Sequence, residues 1–294
     1  MPTAIITGIT GQDGSYLAEL LLKKEYRVIG VARRSSTVNY ERIEHIVNDI
    51  TVVQGDLQDQ GSLLSLLEEY KPSEVYNLAA QSFVPPSWVS PAVPLEVNIV
   101  GSANLFEAVR QANIDPVVQI ACSSEEYGLV NEDEMPIKET NPLRPLSPYA
   151  VSKVAMDYLG YQYYQSYKVR IIRTRGFNHT GPRRGETFAE SNFAKQIALI
   201  EKGKQQPILW VGNLDAKRDY TDVRDMVRAY LEAAEKCEPG EVYNICTGTS
   251  PRIGDMLNLL LSFSSSKVAI KQDPARMRPS DVPVLVGDNS KFTQ

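Results

Sequence analysis

The sequence predicts an α/β fold built on a doubly wound parallel sheet. Along residues 3–178, short apolar runs alternate with segments whose apolar residues recur at helical spacing, which is typical of repeated strand–helix–strand units. A glycine-rich turn joins the first strand to the first helix. The length of 294 residues is enough for one sizeable core and a smaller attached lobe.

The elements follow in order. Six strands are predicted first: TAIITG, RVIGVAR, DITVVQGD, EVYNLAA, VVQIACSS and VRIIRTRGFN, with helical patterns such as SYLAELLLKKEY, SLLSLLEEY and GSANLFEAVRQA between them. After Gly176 a polar loop, FNHTGPRRGETFAES, leads to helix NFAKQIALIEKG, strand PILWVG, helix DVRDMVRAYLEAAEKC and strand EVYNICTG. Ser250 and Pro251 are predicted to open a further helix, at its cap and first turn. We expect a sheet domain over residues 1–175 and, over residues 176–294, mainly a substrate lobe that closes over it.

The composition argues against several classes of protein. A net charge of −5 gives no basis for coating nucleic acid. Three cysteines and two histidines are too few and scattered for a disulfide framework or a zinc site, so no metal is predicted. No apolar run approaches the roughly 20 residues of a membrane span, and the first strand begins too early to leave room for a signal peptide. We expect a cytoplasmic protein that binds neither nucleic acid nor membrane.

The turn after the first strand carries Gly8, Gly11 and Gly14, each three residues apart. Glycines at a strand-to-helix junction let the backbone approach a ligand, and the free N–H groups of the helix face a pyrophosphate. Such spacing also occurs in plain turns, but here it follows a strand and opens a helix, as a dinucleotide loop requires.

The end of the second strand indicates which dinucleotide is bound. An NAD site usually places Asp or Glu there, to hold the ribose 2′-hydroxyl. This chain has Arg33 and Arg34 instead, and guanidinium groups suit the 2′-phosphate of NADP. A solvated basic turn is the alternative.

Candidate acid–base residues lie in SPYAVSK and CSSEEYG. Tyr149 and Lys153 are four residues apart, hence on one helical face, where the lysine is expected to lower the pKa of the phenol. A surface helix pair is the alternative. The fifth strand ends in Ser123 and Glu125, at the sheet edge where ligands bind in open α/β sheets. Glu125 could instead be a solvated loop carboxylate, and Glu126 is expected to be structural.

At these residues the chain resembles the extended short-chain dehydrogenase/reductases, which have a Rossmann-type sheet, and among them the GDP-mannose 4,6-dehydratases. The matching stretches are GITGQDGSYL, RRSS, NLAAQSFV, SPYAVSK, FNHTGPRRGETF and GNLDAKRD, spread over nearly the whole chain. The resemblance implies four catalytic residues: Ser123 (where threonine is usual), Glu125, Tyr149 and Lys153.

The resemblance also implies ligand contacts. For NADP these are Gly8, Ile9, Thr10, Gly11, Gln12, Asp13 and Gly14 at the phosphates, Arg33, Arg34, Ser35 and Ser36 at the 2′-phosphate, Asp56 and Leu57 near adenine, Leu78, Ala79, Ala80, Gln81 and Ser82 along the nicotinamide half, with Tyr149, Lys153, His179 and Arg184. For the nucleotide-sugar they are Ser82, Asn178, Arg218, Arg278 and Asp281.

The implied reaction converts GDP-mannose to GDP-4-keto-6-deoxy-mannose by internal hydride transfer from C4 to C6, with Tyr149 as acid–base group, Ser123 holding the C4 oxygen, and Glu125 acting at C5 and C6. This is a lyase that returns its cofactor unchanged. The resemblance further implies a homodimer or homotetramer, with the RRSS segment at a tetramer contact.

Two alternatives stay open. CSSEEYG, NHTGP, DYTDVRDMVRAY and PARMRPSDVPVLVGDNSK resemble instead a GDP-4-keto-6-deoxy-mannose reductase, which would use NAD(P)H to give GDP-rhamnose. A non-catalytic NADP sensor is more remote, since Ser123, Tyr149 and Lys153 are all present. The resemblance also leads us to expect a Gly-Trp-Lys-Pro-like segment and a last helix after NSKFTQ.

Overall fold

The computed structural model describes residues 1–37, 39–277 and 282–294. In these ranges the strands are β1 (Thr3–Thr7), β2 (Arg27–Ala32), β3 (Thr51–Gln54), β4 (Glu74–Asn77), β5 (Val117–Ser123), β6 (Ile171–Gly176), β7 (Asn178–Thr180), β8 (Ile208–Val211), β9 (Lys217–Arg218), β10 (Tyr220–Asp222), β11 (Val242–Ile245), β12 (Ala269–Gln272) and β13 (Val284–Leu285). The α-helices are α1 (Gln12–Lys23), α2 (Gln60–Tyr70), α3 (Val84–Val89), α4 (Ala92–Pro94), α5 (Gly101–Gln111), α6 (Pro148–Tyr167), α7 (Ala189–Glu201), α8 (Val223–Lys236), α9 (Ile253–Ser262) and α10 (Ser290–Thr293). Short 3₁₀ turns cover Glu44–Ile46, Ser124–Glu126, Glu132–Glu134 and Pro274–Arg276, and a π-helical segment, Leu95–Val100, runs into α5.

Seven of the described strands form one parallel sheet, in the order β11-β6-β5-β4-β1-β2-β3. All six strands predicted in the first part of the chain are in it, which confirms the doubly wound fold. The strand order reverses between β1 and β4, and at such a switch point the carboxyl ends of the strands leave a crevice for ligands.

Apolar cores cover both faces of the sheet. On one face α1 and α8 bury residues such as Leu17 and Met226, and on the other α2, α5 and α6 bury residues such as Leu67, Phe106 and Met156. A sheet buried on both faces needs strands that are apolar throughout, as β1 is in its run of alanine and isoleucines.

The chain does not stay in the smaller lobe after the predicted boundary between residues 175 and 176. The segment 223–245 returns to the main sheet, because α8 packs against α1 and β11 pairs with β6. The smaller lobe is built from α7, α9 and the short parallel pairs β8–β12 and β9–β13, around a separate core that includes Phe193 and Leu257.

The helix expected to open at Ser250 and Pro251 begins later. Helix α9 starts at Ile253 with Arg252 as its N-cap residue. The carbonyl of Pro251 accepts the N–H of Arg218 at 3.1 Å, so this stretch pairs with β9 before the helix can begin.

Among the described residues, no helix combines the length and the apolar character needed to cross a bilayer.

Candidate active site

A single cleft of about 1890 Å³ runs across the carboxyl ends of the strands, from the glycine turn after β1 to the smaller lobe. Ligand pockets usually measure roughly 300–1,000 Å³. The cleft therefore has room for two ligands of nucleotide size lying side by side.

The glycine turn forms one end of the cleft, and its shape depends on missing side chains. Gly8 has φ +73°, and a Cβ there would lie 2.9 Å from the backbone nitrogen of Ala79. A Cβ on Gly14 would lie 2.4 Å from the carbonyl oxygen of Gly8. Any larger residue at Gly8 or Gly14 would force the turn away from its neighbours.

The first turn of α1 faces this end of the cleft. Its N-cap residue is Gly11, which has no side chain to cap the helix, while Gly11 N–H donates to Gly8 O at 2.9 Å and closes the turn. Uncapped N–H groups at the positive end of a helix dipole are a ready site for a pyrophosphate. The residues present therefore fit the phosphates of a dinucleotide.

The adenosine side of the cleft includes only part of the predicted contacts. Arg33, Asp56 and Leu57 line it. Residues 34–36 are exposed, and their contact with a 2′-phosphate stays a prediction. The side chain of Ile9 is fully buried against Gly30, so that residue can offer a ligand only its backbone.

The predicted nicotinamide side, residues 78–82, also lines the cleft, and hydrogen bonds fix its backbone. Ala79 N–H donates to Thr7 Oγ1 at 3.1 Å, and Gln81 N–H donates to Asn98 Oδ1 at 2.9 Å. Asn98 in turn donates to Ser152 Oγ on α6, at 2.9 Å. This segment is thereby tied to the helix that carries Tyr149 and Lys153.

The four predicted catalytic side chains line the middle of the same cleft. Ser147 caps α6 by accepting the N–H of Ala150 at 3.1 Å, which places Tyr149 in the first turn and Lys153 one turn later. Lys153 Nζ donates to the carbonyl of Ala121 on β5 at 2.7 Å, and lies 5.9 Å from the ring centre of Tyr149.

Burial dominates the protonation of this centre. Burial raises the pKa of Tyr149 well above its usual range, and a hydrogen bond with Ser123 opposes the rise. Burial also lowers the pKa of Lys153. The net pKa is raised because the cost of desolvating the phenolate is the largest influence on it, and the lowering contribution expected from Lys153 stays a prediction.

The polar loop after β6 is held against the start of α1. Gln12 Nε2 donates to the carbonyls of Gly181 and Pro182, at 3.0 and 2.9 Å. The carboxylate of Asp13 lies 3.0 Å from His179 Nε2, and accepts the hydroxyl of Tyr230 at 3.2 Å. Loop and glycine turn thus enclose the predicted phosphate site between them.

Asp13 is charged in this setting. Burial raises its pKa, but the charge and hydrogen bond of His179, the charge of Arg184 and the hydrogen bond of Tyr230 outweigh burial, so the pKa lies below the ordinary value. His179 and Arg184 line the cleft as predicted. His179 is hydrogen-bonded to Asp13, and Arg184 donates to Gln12 Oε1 at 3.4 Å.

The family profile described as GDP-mannose 4,6 dehydratase matches residues 5–294 of the chain. The chain belongs to this family. The GDP-mannose 4,6-dehydratase of Vibrio cholerae is 37% identical over 329 residues, which cover 99% of this chain and 87% of that protein. GDP-mannose 4,6 dehydratase 1 of Arabidopsis thaliana is 38% identical over 302 residues, or 98% of this chain and 82% of that protein.

Solved structures show the same architecture. RMD from Pseudomonas aeruginosa, complexed with NADPH, is 30% identical with a TM-score of 0.84, covering 99% of this chain and 91% of that one. The UDP-glucose 4-epimerase of Thermus thermophilus, in complex with NAD, is 30% identical with a TM-score of 0.85, covering 99% and 92%. Both similarities extend over the whole length, so the GDP-mannose 4,6-dehydratase family shares its fold with other nucleotide-binding enzymes.

In this family member the structure describes three of the five predicted nucleotide-sugar contacts. Ser82, Asn178 and Arg218 line the cleft. Arg218 is buried and donates to the carbonyl of Val282 at 2.6 Å. Arg278 and Asp281 fall outside the described residues.

The structure adds residues that the sequence analysis left out. Phe83 and Phe188 make an edge-to-face contact in the cleft, with ring centres 5.5 Å apart, and Trp210 lines its far end. Nothing in their sequence spacing distinguishes these aromatic residues from core residues, because Phe83 and Phe188 are brought together by two loops far apart in the chain.

A buried ion-pair network under the site was also missed. Cys122, Glu126 and Asp157 bring ligand-type atoms within 4.8 Å of one another, but Arg175 lies 3.2 Å from Glu126 and 2.9 Å from Asp157, and Arg173 pairs with Asp157 as well. This arrangement is an ion-pair network rather than a metal centre. The sequence does contain a signal for this network: Arg173 and Arg175 lie at alternate positions of the buried strand β6, and buried arginines require buried anions.

Proposed function

We propose that the chain catalyses the NADP-dependent dehydration of GDP-mannose to GDP-4-keto-6-deoxy-mannose. One observation carries the proposal: Ser123, Glu125, Tyr149 and Lys153 line the same cleft as the glycine turn, at the carboxyl edge of one sheet. Membership of the GDP-mannose 4,6-dehydratase family supports the substrate.

The first chemical role belongs to Tyr149. NADP⁺, when bound, supplies the reversible oxidant of this chemistry. Tyr149 takes the proton of the C4 hydroxyl as C4 becomes a ketone, and Ser123 holds the C4 oxygen by a hydrogen bond. Lys153, anchored to the carbonyl of Ala121, stands on the same helical face and stabilises the phenolate.

Glu125 is the acid–base group for the elimination of water across C5 and C6. The C4 ketone acidifies the hydrogen on C5, and Glu125 removes it as a proton. The same carboxyl passes the proton to the C6 hydroxyl, which leaves as water. Tyr149 then returns its proton to C5, and the hydride that a bound cofactor would have taken from C4 would be returned to C6. The sugar has then lost one water molecule, and Tyr149 and Glu125 are both back in their starting states.

The choice of NADP rests on the cofactor end of the cleft. The glycine turn and the start of α1 suit the pyrophosphate, and Arg33 lines the cleft where a 2′-phosphate would lie. The bound NADPH of the Pseudomonas aeruginosa relative supports this choice. Arg218, which lines the cleft, is the described cation that the family resemblance assigns to the diphosphate of the sugar nucleotide.

The test is incubation of the protein with GDP-mannose in heavy water, without added NADPH, followed by NMR of the sugar. A dehydratase removes the C6 hydroxyl and leaves deuterium at C5. No reaction with GDP-mannose, together with oxidation of NADPH by the 4-keto compound, would assign the reductase activity instead.

We also propose that the protein is a cytoplasmic homodimer or homotetramer. Val100, Val151 and Tyr158 leave exposed apolar surface on the π-helical segment and on α6, which a second subunit could cover. Free thiols at Cys122, Cys237 and Cys246 are compatible with a reducing compartment. Analytical ultracentrifugation measures the assembly, and a fluorescent fusion the compartment.

A further inference from the structure

Two consecutive glutamates follow β5, and they turn in opposite directions. Glu125 lines the cleft, whereas Glu126 is fully buried beneath it. Glu126 Oε1 accepts the backbone N–H of Ser123 at 2.8 Å, and its Oε2 lies 3.2 Å from Arg175 Nε. The buried carboxylate thus connects the backbone of a catalytic residue to the neighbouring strand β6.

Ser123 is fixed on both sides by this turn. Its backbone is extended, with φ −152° and ψ 142°, and its hydroxyl oxygen accepts the N–H of Glu125 at 3.2 Å. Together with the bond from Ser123 N–H to Glu126, this forms a capping box over the 3₁₀ turn Ser124–Glu126. Glu126 therefore holds the backbone of Ser123, the N–H of Glu125 holds its hydroxyl, and the turn fixes the direction of the Ser123 side chain.

The same network reaches the helix that carries the other catalytic groups. Arg175 also pairs with Asp157 at 2.9 Å, and Asp157 lies on α6 one turn after Lys153 and two turns after Tyr149. Glu126, Arg175 and Asp157 thereby tie the ends of β5 and β6 to the catalytic face of α6.

We propose that Glu126 is a positioning residue, which through the Ser123 backbone and the Arg175–Asp157 pair sets the Ser123 hydroxyl against Tyr149. It makes no contact with the substrate. This inference rests on the proposed function, because it assigns Ser123 and Tyr149 their roles in proton transfer.

The charges and hydrogen bonds around Tyr149 make the positioning role of Glu126 testable by the direction in which the kcat–pH profile shifts. The groups that act on its pKa or lie beside it are Ser123, Glu125 and Glu126 after β5, Lys153 on its own helix, Arg184 in the loop after β7, and Tyr230 on α8. Burial and the charge of Asp157 raise the pKa of Glu126, which limits the pH range over which its negative charge is present. The hydrogen bond of Ser123 has a larger effect on the pKa of Tyr149 than that charge has when it is present.

Glu126→Ala removes both the acceptor of the Ser123 N–H and the carboxylate beside Arg175. Glu126→Gln keeps the acceptor, because its amide oxygen can still accept the N–H of Ser123, but its NH₂ group cannot replace the carboxylate oxygen that faces Arg175. If Glu126 positions Ser123, the acid limb of the kcat–pH profile moves to higher pH in Glu126→Ala. In Glu126→Gln the limb stays in place or moves to lower pH. If Glu126 acts by charge alone, both variants move the limb to lower pH.

The decisive experiment is a double-mutant cycle with Ser123→Ala. We expect Glu126→Ala to lower kcat about 10-fold with little change in KM, and Glu126→Gln to recover most of the loss. In the Ser123→Ala background the same Glu126→Ala change should cost less than about 2-fold, since the hydroxyl that it positions is gone. Glu74→Ala is the control, because it removes a buried carboxylate, bonded to Tyr26 and Tyr76, from the start of β4.

Amide hydrogen exchange at Ser123 gives a second readout that needs no turnover. We expect faster exchange at this amide in Glu126→Ala, and the wild-type rate in Glu126→Gln and Glu74→Ala. The proposal is overturned if the loss in kcat is undiminished in the Ser123→Ala background, if both Glu126 variants move the pH profile to lower pH, or if Ser123 exchange is unchanged. If the wild-type protein leaves GDP-mannose intact, the proposed function fails, and the exchange rates alone decide whether Glu126 positions Ser123.

Discussion

The two ends of the cleft are built in different ways. At the phosphate end the surface is backbone, and its shape comes from glycines that leave no room for a Cβ. At the catalytic end the surface is made of side chains from β5 and α6, supported by a buried network that includes Glu126 and Arg175. Substitutions at the first end should therefore act mainly on cofactor binding and stability, and substitutions of the cleft-lining residues at the second end mainly on turnover.

Tyr149→Phe should produce the largest effect on turnover. Removing the phenol hydroxyl removes the acid–base group, and we expect turnover to fall by a factor of about 10² to 10⁴. NADP affinity, measured by fluorescence titration, should stay the same, because the ring still fills its place. Tyr167→Phe is the control, since Tyr167 lies at the end of the same helix and is 52% exposed. Unchanged turnover in Tyr149→Phe would rule out the proposed mechanism.

Gly14→Ala tests the phosphate end. The new Cβ would lie 2.4 Å from Gly8 O and 2.8 Å from Ile9 Cα, both of which are backbone atoms that cannot simply rotate away. We expect the free energy of unfolding to fall by about 1–3 kcal/mol and NADP affinity to fall with it. Gly61→Ala, at an exposed position of α2 with ordinary space for a Cβ, should instead stabilise the protein by about 0.5–1 kcal/mol. Equal effects of the two substitutions would contradict the steric account.

Asp13→Asn tests the contact between the glycine turn and the polar loop. Because the pKa of Asp13 is depressed in the folded protein, its carboxylate stabilises the fold above the ordinary pKa of 3.8, and this contribution is lost as the pH falls through the folded value. We expect the variant to be less stable by about 1–3 kcal/mol near neutral pH, with the difference shrinking below about pH 4.

Urea unfolding at several pH values measures this difference between wild type and Asp13→Asn. Glu186→Gln is the matched control, since Glu186 pairs with Lys195 in an exposed ion pair, for which we expect less than about 1 kcal/mol. A difference for Asp13→Asn that does not depend on pH would show that its charge is not what holds the loop.

Arg33→Ser should have the smallest effect. Arg33 is exposed, so its pairing with a 2′-phosphate is screened by solvent, and we expect NADP affinity to fall about 10-fold or less. Affinity for NAD should change by less than about 2-fold, because NAD has no 2′-phosphate to lose contact with. Parallel titrations with the two dinucleotides measure the ratio, and an equal loss for both would exclude a role in choosing between them.

Local patterns predicted most of the fold. The strands up to β6 were predicted because each contains a short apolar run, and their parallel order follows from the helices between them. The opening of α9 was misplaced because the carbonyl of Pro251 pairs with Arg218, in a contact formed between residues 33 positions apart in the chain. A cap signal such as Ser-Pro cannot show that competing contact.

The candidate site also has features that the local sequence predicts and features that only the fold determines. The glycine turn and the spacing of Tyr149 and Lys153 are local, so the sequence alone indicated a dinucleotide site and an acid–base pair. The different directions of Glu125 and Glu126 could not be predicted, because adjacent identical residues differ only in what the fold places around them. Arg175 lies beside one, and the open cleft beside the other.

The sequence by itself determined the parallel sheet, the glycine turn and the family to which the chain belongs, because each depends on residue spacing within one or two elements. Only the tertiary structure decided that burial raises the pKa of Tyr149, that Asp13 holds the polar loop, and that Glu126 holds Ser123. These features depend on charges and hydrogen-bonding groups meeting in a low-dielectric interior, and the chain has to fold before they meet.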